Sequence, residues 1–314
     1  MLAFLARRLL SGLLTLFVIA TLCFAVIRLT PGSPFSTERG MSEQTLKNFE
    51  RHFGLDKPWW VQYGRAMGGY LQGNLGPSMA YPDWVNVGDF VWPSFRTSLA
   101  LGSLAATLAF LIGVPLGLLA SARQNRWPDH LASSISILGI CVPNFLLGPL
   151  LVLIFTFGLR WLPSAEWPRS WTDGKELLKL VMPAITLAMA HVAYIARLTR
   201  AGMLDVVSRD FIRTARAKGL SEGAVFLKHV LKNGITPVVS YAGPMIAVVL
   251  TGSIVVERIF FIPGLGKWFV ESARNRDMNL IMACVLVYST LIILLNMLVD
   301  LLYAWLDPRV RLDE

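Results

Sequence analysis

Six long runs of apolar residues constrain the fold of this chain more than any other feature. About 20 consecutive apolar residues form a helix long enough to cross the hydrocarbon core of a bilayer. Six segments meet this requirement: residues 9–29, 97–120, 131–158, 181–203, 238–256 and 279–305. Lipid offers no hydrogen-bond partner to a backbone, so such segments must be helical. The sequence therefore predicts an all-α integral membrane protein with about six transmembrane helices.

The charge of the chain agrees with a membrane location. Only 16% of its 314 residues are charged, too few to cover the surface of a soluble domain of this length. The net charge is +9, and the basic residues lie in the loops between the apolar runs. Contact with lipid headgroups explains that placement, so we expect the lipid bilayer and no nucleic acid as a partner.

The first 96 residues divide into a helix and a large loop. Arg7 and Arg8 precede 21 mostly apolar residues, longer than the core of a signal peptide and without a cleavage site. We predict a retained transmembrane helix over 1–30 and an extracytoplasmic loop over 31–96. Pro31 to Pro34 should end the helix, and Ser42 is suited to cap a short amphipathic helix up to Phe53. The loop's aromatic residues fit either an interfacial belt or a docking surface for an external partner.

The remaining chain is predicted as a membrane core over 97–305 and a cytoplasmic tail over 306–314. An even number of spans places both termini on one side. The segments assigned to the cytoplasm have the higher density of Lys and Arg, so we expect both termini to be cytoplasmic. Arg197 and Arg200 enter the last turns of the fourth span, and we expect them to extend toward the cytoplasmic surface.

The loop over 204–236 is predicted to form a helix, a tight turn and a second helix. Phe211, Ile212 and Ala215 share one side of the first helix, and Gly219 is suited to end it. Ser221 can cap the second helix, whose apolar residues lie on one face: Val225, Phe226, Val230 and Leu231. Such a basic amphipathic segment beside a membrane is also typical of a simple surface helix.

Residues that carry catalytic chemistry are not grouped in this sequence. The four histidines are scattered, and Cys23, Cys141 and Cys284 have no metal-ligand spacing. The run from Gly264 to Lys267 resembles part of a phosphate-binding loop, but Trp268 follows where Mg²⁺ binding needs a hydroxyl. We therefore expect no catalytic residues, no metal and no cofactor on this chain.

Three polar residues within the spans are candidates for the transport pathway or for contacts inside the bundle: His191, Asn144 and Asp300. A buried acid or base would suit an ion-coupled secondary carrier. A histidine satisfied within the bundle and an interhelix partner for Asp300 are the simpler interpretations. A membrane enzyme is a further alternative, but it lacks a catalytic constellation.

Short motifs in a fixed order add to this interpretation. Arg213 to Leu220 reads Arg-Thr-Ala-Arg-Ala-Lys-Gly-Leu. Further pieces stand in the same order along nearly the whole chain: Arg28–Phe35, Gly54–Pro58, Gln62-Tyr63, Gly73–Gly76, Pro263–Gly266, Asn275–Asp277, Val299–Ala304 and Asp307–Arg309. This set resembles the permease subunits of binding-protein-dependent ABC importers, in the oligopeptide and dipeptide branch. The opening and the external loop are most similar to the first membrane subunit of the oligopeptide branch.

One motif differs from the broader importer family. The Glu-Ala-Ala expected before the glycine is replaced by Thr214-Ala215-Arg216, and Pro237 follows Gly219 at a longer distance than usual. Both features belong to the peptide branch.

The resemblance implies a type I ABC importer fold in the bacterial inner membrane. It also implies a second homologous permease subunit, two ATPase subunits that carry ATP and Mg²⁺, an external substrate-binding protein and a peptide substrate. Nickel, glycosides or opines are alternative substrates of the same family.

The resemblance further assigns the loop to ATPase coupling. Its turn and second helix would seat in a groove of an ATPase subunit, a helix-in-groove contact. Ala215, Leu220 and Ala224 would pack there, and Arg216 and Lys218 would be polar anchors. Ser221 and Glu222 complete the predicted coupling residues.

Overall fold

The computed structural model describes residues 2–30, 43–81, 85–251 and 254–306, and the described chain is almost entirely helical. The first seven helices are α1 (Leu2–Leu29), α2 (Glu43–Phe53), α3 (Trp59–Leu71), α4 (Val87–Ala122), α5 (Trp127–Cys141), α6 (Asn144–Leu151) and α7 (Gly174–Leu178). The others are α8 (Val181–Val207), α9 (Asp210–Ala217), α10 (Glu222–Val225), α11 (Lys232–Gly234), α12 (Thr236–Thr251), α13 (Ile254–Ile259), α14 (Leu265–Asn275) and α15 (Met278–Leu306). Two π-helical turns, Val152–Gly158 and Phe226–Leu231, continue α6 and α10. The predicted stop at Pro31–Pro34, the Ser42 cap, Trp84 and the tail over 307–314 lie outside the described residues.

Long apolar helices confirm the predicted class. Five are long and apolar enough to cross a membrane: Ala6–Leu29, Val87–Ala122, Val181–Val207, Thr236–Ile259 and Met278–Val299. A bent pair brings the number to six if it counts as one span. The prediction of about six transmembrane helices in an all-α protein is therefore confirmed.

The third predicted span is not one straight helix. α5 and the segment Asn144–Gly158 meet at an angle of 110°. Val142 is extended, with φ −87° and ψ 115°. Pro143 explains the break, because proline disfavours helical backbone at the preceding residue and has no N–H to continue the ladder.

α4 begins ten residues before the predicted start of the second span, at Val87 rather than at residue 97. Its first turns contain Asp89, Trp92, Pro93 and Arg96, so hydropathy alone places them outside the span. The side chain of Asn86 accepts a hydrogen bond from Gly88 N at 2.8 Å and so supports the helix start. With 36 residues the helix is about 54 Å long, more than the hydrocarbon core requires.

The described chain falls into two compact units. Among the described residues, the first comprises 2–30, 43–81, 85–97 and 263–297. In it α1 lies against α15, where a Cβ on Gly12 would be 2.8 Å from Ile293 Cγ2. Asp277 stands just before α15 and accepts hydrogen bonds from the Ser78 hydroxyl, the backbone of Met79 and Ala80, and Leu280 N. This buried carboxylate joins the loop before α4 to the start of the last helix.

The aromatic residues of the predicted external loop lie in two kinds of environment. Trp59 and Trp60 are exposed at the start of α3, as an interfacial belt requires. Tyr63 instead shares a 2.7 Å hydrogen bond with Thr21 of α1. Tyr81 packs edge-to-face against Trp268 with ring centroids 5.6 Å apart. Part of this set therefore holds the unit together.

Among the described residues, the second unit comprises 98–251, 254–262 and 298–306. Its apolar core lies between α4, α8, α12 and α13 and contains Leu101, Ile195, Met245 and Phe260. Glycines let the helices approach each other: a Cβ on Gly113 would be 2.9 Å from Ile195, and one on Gly139 would be 2.9 Å from Ala193. α8 lies at the centre of this unit and leads directly into the predicted coupling loop.

Candidate functional site

The loop over 204–236 folds as the sequence predicted, into two helices joined by a tight turn. α9 ends at Ala217, and α10 begins at Glu222. A π turn and α11 then lead into α12. The prediction of helix, turn and helix is confirmed.

Gly219 forms the turn. It has φ +79°, in the left-handed region that glycine enters without strain. Its N–H donates to Arg216 O at 2.9 Å, and Leu220 N donates to Ala215 O at 3.4 Å, which closes the C-terminus of α9. Among the described residues, a Cβ at Gly219 would meet nothing within 4 Å. Backbone hydrogen bonds therefore hold the turn, and the space around the α-carbon of Gly219 is open.

The second helix begins at the predicted cap. Ser221 has extended backbone, and its hydroxyl accepts a hydrogen bond from Ala224 N at 3.4 Å. Arg216 Nε and Glu222 Oε1 are 2.8 Å apart, so an ion pair crosses the turn. Both side chains are well exposed, and such a pair contributes about 1 kcal/mol at most. Arg216, expected as an anchor for a partner, is thus held beside α10 by Glu222.

Ala215 is placed differently from the prediction. Its side chain is 7% exposed and lies in a buried cluster with Met203, Val206, Ile212, Val225 and Val230. Leu220 packs against the same cluster, and Ala224 is half-buried. Ala215 therefore joins the loop to α8 of its own chain and has no free face for an ATPase groove. Helical periodicity identifies an apolar face but does not say which surface covers it.

Two apolar side chains of the loop stay uncovered. Phe211, predicted on the same side as Ile212, is 41% exposed, because it lies one residue away from the buried face. Leu227 in the π turn is 64% exposed and was not among the predicted coupling residues. The exposed surface of the loop thus combines Phe211 and Leu227 with the polar turn residues Arg216, Lys218, Ser221 and Glu222.

Arg200 has a specific partner at the loop end of α8. Its Nε and Nη2 atoms lie 2.6 and 2.8 Å from the two carboxylate oxygens of Asp129, in a bidentate pair. The side chain of Asp129 is only 4% exposed and also accepts a bond from Asn125 N. A nearly buried carboxylate at the start of α5 therefore holds Arg200. That Arg200 extends toward the cytoplasmic surface stays a prediction.

His191 belongs to a polar and aromatic cluster between α8 and α12. Its Nδ1 shares a 2.8 Å hydrogen bond with the Tyr241 hydroxyl. The rings of Tyr241 and Tyr194 stack with centroids 4.5 Å apart, and Tyr194 is exposed. His191 is thus satisfied within the bundle, and the same cluster presents an aromatic face.

The other two polar candidates lie elsewhere. Asn144 is half-buried at the first position of α6, directly after the 110° break. Among the hydrogen bonds of the described residues, none joins it to His191. Asp300 lies in α15, but its side chain is outside the described residues.

Glu257 was missed as a buried acid. The predicted fifth span ends at residue 256, and His191 and Asp300 were the only acid or base among the predicted pathway and bundle residues. Glu257 lies in α13, is 1% exposed and accepts a 2.6 Å hydrogen bond from the Ser98 hydroxyl. Its place one residue beyond the apolar run was the available signal.

Comparison with known families decides the identity of this helix arrangement. The family described as binding-protein-dependent transport system inner membrane component matches residues 113–312. The N-terminal family of the same membrane component matches residues 1–99. The chain belongs to this permease family. It is a membrane component of an ABC importer, as the ordered motifs predicted.

Full-length relatives place the permease in the peptide branch. The oligopeptide transport system permease protein OppB of Haemophilus influenzae is 41% identical over 99% of this chain and 100% of that protein. The dipeptide transport system permease protein DppB of Bacillus subtilis is 41% identical over 96% of this chain and 95% of that protein. The predicted resemblance to the oligopeptide and dipeptide permeases is confirmed.

A solved structure supports the fold of the permease. The crystal structure of an amino acid ABC transporter with histidines covers 67% of this chain and 92% of that chain, with a TM-score of 0.52 and 20% identity. At this identity the likeness concerns the fold alone, and it agrees with the predicted type I importer arrangement.

Proposed function

We propose that this permease forms half of the translocation pathway of an ATP-driven peptide importer and that its 204–236 loop transmits the motion of an ATPase subunit. The loop carries this proposal. It is anchored to α8 by a buried cluster, while its turn and two apolar side chains remain uncovered. A loop that is fixed to its own helix on one face and exposed on the other is suited to bind a partner.

The residues divide the coupling task between them. Ile212, Ala215 and Val225 fix the loop to α8, so a force on the turn moves that helix. Phe211 and Leu227 supply apolar area for docking, and Lys218 and Arg216 supply polar contacts. The open space over Gly219 allows a partner surface to approach the backbone closely.

ATP and Mg²⁺ belong to the two ATPase subunits in this proposal. The nearest resemblance to a phosphate loop in this chain ends at Trp268, whose ring lies 4.8 Å from Lys267 Nζ. That lysine is thus engaged by a neighbouring indole. The complete importer also contains a second homologous permease and an external substrate-binding protein.

The proposed orientation follows from the same partner. ATP is cytoplasmic, so docking of an ATPase places the 204–236 loop and both termini on the cytoplasmic side of the inner membrane. Residues 31–96 then lie outside. Arg7 and Arg8, just before the first apolar run, agree with this orientation.

A peptide is the proposed substrate, because the relatives that match the full chain are named for oligopeptide and dipeptide transport. Tyr194, Tyr241 and His191 suit such a cargo, since their rings offer apolar faces and polar edges without a fixed charge. We propose that this cluster contacts the peptide during passage.

The test of coupling is the substitution Gly219→Asn, with Gly73→Asn as its matched control. Both glycines have positive φ, +79° and +73°, and open space around a Cβ. Asparagine tolerates this backbone region, so both variants should fold. An added side chain at an interface centre costs a few kcal/mol, so Gly219→Asn should lower ATPase co-purification at least about tenfold.

Gly73→Asn should keep the ATPase subunits bound, because it lies in the predicted external region. Peptide-stimulated ATP hydrolysis should fall with Gly219→Asn while the binding protein keeps its affinity for peptide. Full co-purification and hydrolysis with Gly219→Asn would overturn both the coupling role and the proposed orientation.

A further inference from the structure

A cleft of about 310 Å³ lies within the first compact unit. Its walls come from the end of α1, from α2 and α3, and from the start of α15. Phe24, Ile27 and Met282 form an apolar side. Arg28, Lys57 and Arg65 contribute three cationic side chains. The cleft is thus amphipathic, and the coupling role proposed above does not use it.

No described carboxylate faces the cations of this cleft. Among the residues that the structure describes, its lining contains no Asp or Glu. Within the part of the chain that the structure describes, Arg28, Lys57 and Arg65 form no ion pair with a carboxylate. Cations collected without carboxylates favour the binding of an anion from outside the chain.

Two of the cationic side chains pass close to Gly54. A Cβ on this residue would lie 2.7 Å from Arg65 Nη1 and 3.9 Å from Lys57 Cδ. Gly54 also has φ +66°, so the turn itself favours glycine. The stem of Lys57 thus passes the same glycine as the Arg65 guanidinium, and an anion bound beside them would offset the repulsion between the two positive charges.

The turn that carries Lys57 is rigid. Gln62 Nε2 donates hydrogen bonds to Leu55 O at 3.1 Å and to Lys57 O at 2.7 Å. The backbone adds bonds from Leu55 N to Glu50 O and from Lys57 N to Gly54 O. The backbone that carries Lys57 is therefore fixed before any ligand binds, which reduces the entropy lost on binding.

The cleft lies at the depth where the membrane meets water. Arg28 is the penultimate residue of α1, and Met278 is the first residue of α15. Both helices are candidate spans, so these ends mark a boundary of the hydrocarbon core. Trp59 and Trp60, exposed at the start of α3, are residues typical of that boundary.

We propose that this cleft binds an anionic phospholipid, with the phosphate at Lys57 and Arg65 and the upper part of an acyl chain along Phe24, Ile27 and Met282. A soluble anion would satisfy the cations but leave the apolar side in water. A neutral lipid would leave the charges of Lys57 and Arg65 unpaired. The volume suits a headgroup and the first part of a chain, with the rest of the lipid in the bilayer.

Titration of the full-length chain in neutral detergent tests the proposal. Dioleoylphosphatidylglycerol and dioleoylphosphatidylcholine are added in parallel, and bound lipid is measured by native mass spectrometry. The variant K57Q/R65Q removes both of these charges. The variant K47Q/R51Q is the matched control, because it removes two exposed cations of neighbouring α2 that do not line the cleft.

A cation near a lipid surface contributes about fivefold in affinity, so K57Q/R65Q should bind phosphatidylglycerol roughly 25-fold more weakly. K47Q/R51Q should bind it like the wild type, and phosphatidylcholine should bind weakly to all three proteins. Equal phosphatidylglycerol binding by the two double variants would overturn the proposal. Displacement of the lipid by millimolar inorganic phosphate would assign the cleft to soluble anions and would also overturn it. An unchanged thermal unfolding midpoint confirms that each variant is folded.

Discussion

Two glycines, one in the turn of the 204–236 loop and one in α8 beneath it, serve opposite purposes. At Gly219 the backbone needs a positive φ, and the space around the residue is empty. At Gly202, near the end of α8, a Cβ would collide with the carbonyl oxygen of Gly234 in α11. Gly219 leaves open space on the exposed side of the turn. Gly202 lets α11 pack directly against α8.

The difference separates the face of the loop that packs on its own chain from the face that is free to bind a partner. Below the turn, small residues and a buried cluster join the loop to α8. Above the turn, no described residue of this chain lies within contact distance of a Cβ at Gly219. Substitutions on the lower side should therefore damage folding, and substitutions on the upper side should damage coupling.

The largest effect is expected from Ala215→Asp, which places a carboxylate in the buried cluster. An unpaired buried charge costs about 3–5 kcal/mol, so the loop should detach from α8 and the protein should unfold at lower temperature. Ala217→Asp, on the exposed side of α9, is the matched control and should be close to wild type. Equal unfolding midpoints for the two variants, measured in detergent, would contradict the burial of Ala215.

Gly202→Ala and Gly219→Ala form a pair that tests the comparison directly. The first forces a methyl group into backbone, and overpacking of this kind costs about 1–3 kcal/mol. The second only places alanine at a positive φ, at a cost of about 1 kcal/mol. Gly202→Ala should therefore lower the unfolding midpoint more. The reverse order would mean that Gly219, and not the contact with Gly234, limits the stability of the loop.

The smallest change in stability is expected at the ion pair across the turn. Arg216→Gln and Glu222→Gln each remove a well-exposed pair whose contribution is about 1 kcal/mol at most. Both should unfold close to wild type. If Arg216 contacts the ATPase, only Arg216→Gln should also lower peptide-stimulated ATP hydrolysis in the reconstituted importer. Similar hydrolysis in both variants would limit Arg216 to its bond with Glu222.

The sequence predicted features that depend on local chemistry. Apolar runs identified the spans, Gly219 and Ser221 identified the ends of the loop helices, and ordered motifs identified the family. The signals for the spans and for the helix ends lie within a few residues of the feature that they determine, while the family signal is the order of short motifs along the chain. The helix, turn and helix over 204–236 were therefore predicted correctly, together with their capping residues.

Features set by distant residues were not predicted. Asp129 and Arg200 form a bidentate pair although 71 positions separate them. Pro143 indicates a bend, but its angle depends on how each half packs: Gly139 against Ala193, and Gly148 against Ile259 and Phe260. Ala215 looked available to a partner because its own covering residues, Met203 and Val230, come from other helices.

The unbroken length of α8 has a mechanical consequence. Its 27 residues make a rod of about 40 Å, and its only proline, Pro183, stands in the first turn, where it does not interrupt the helix. Such a rod converts a small tilt at its coupling-loop end into a larger displacement at its other end. A tilt of about 5° around that end would displace the far end near Val181 by about 3.5 Å, roughly the diameter of a water molecule. His191 and Tyr194, near the middle, would travel about half as far, enough to change which side chains meet there without any helix having to unwind.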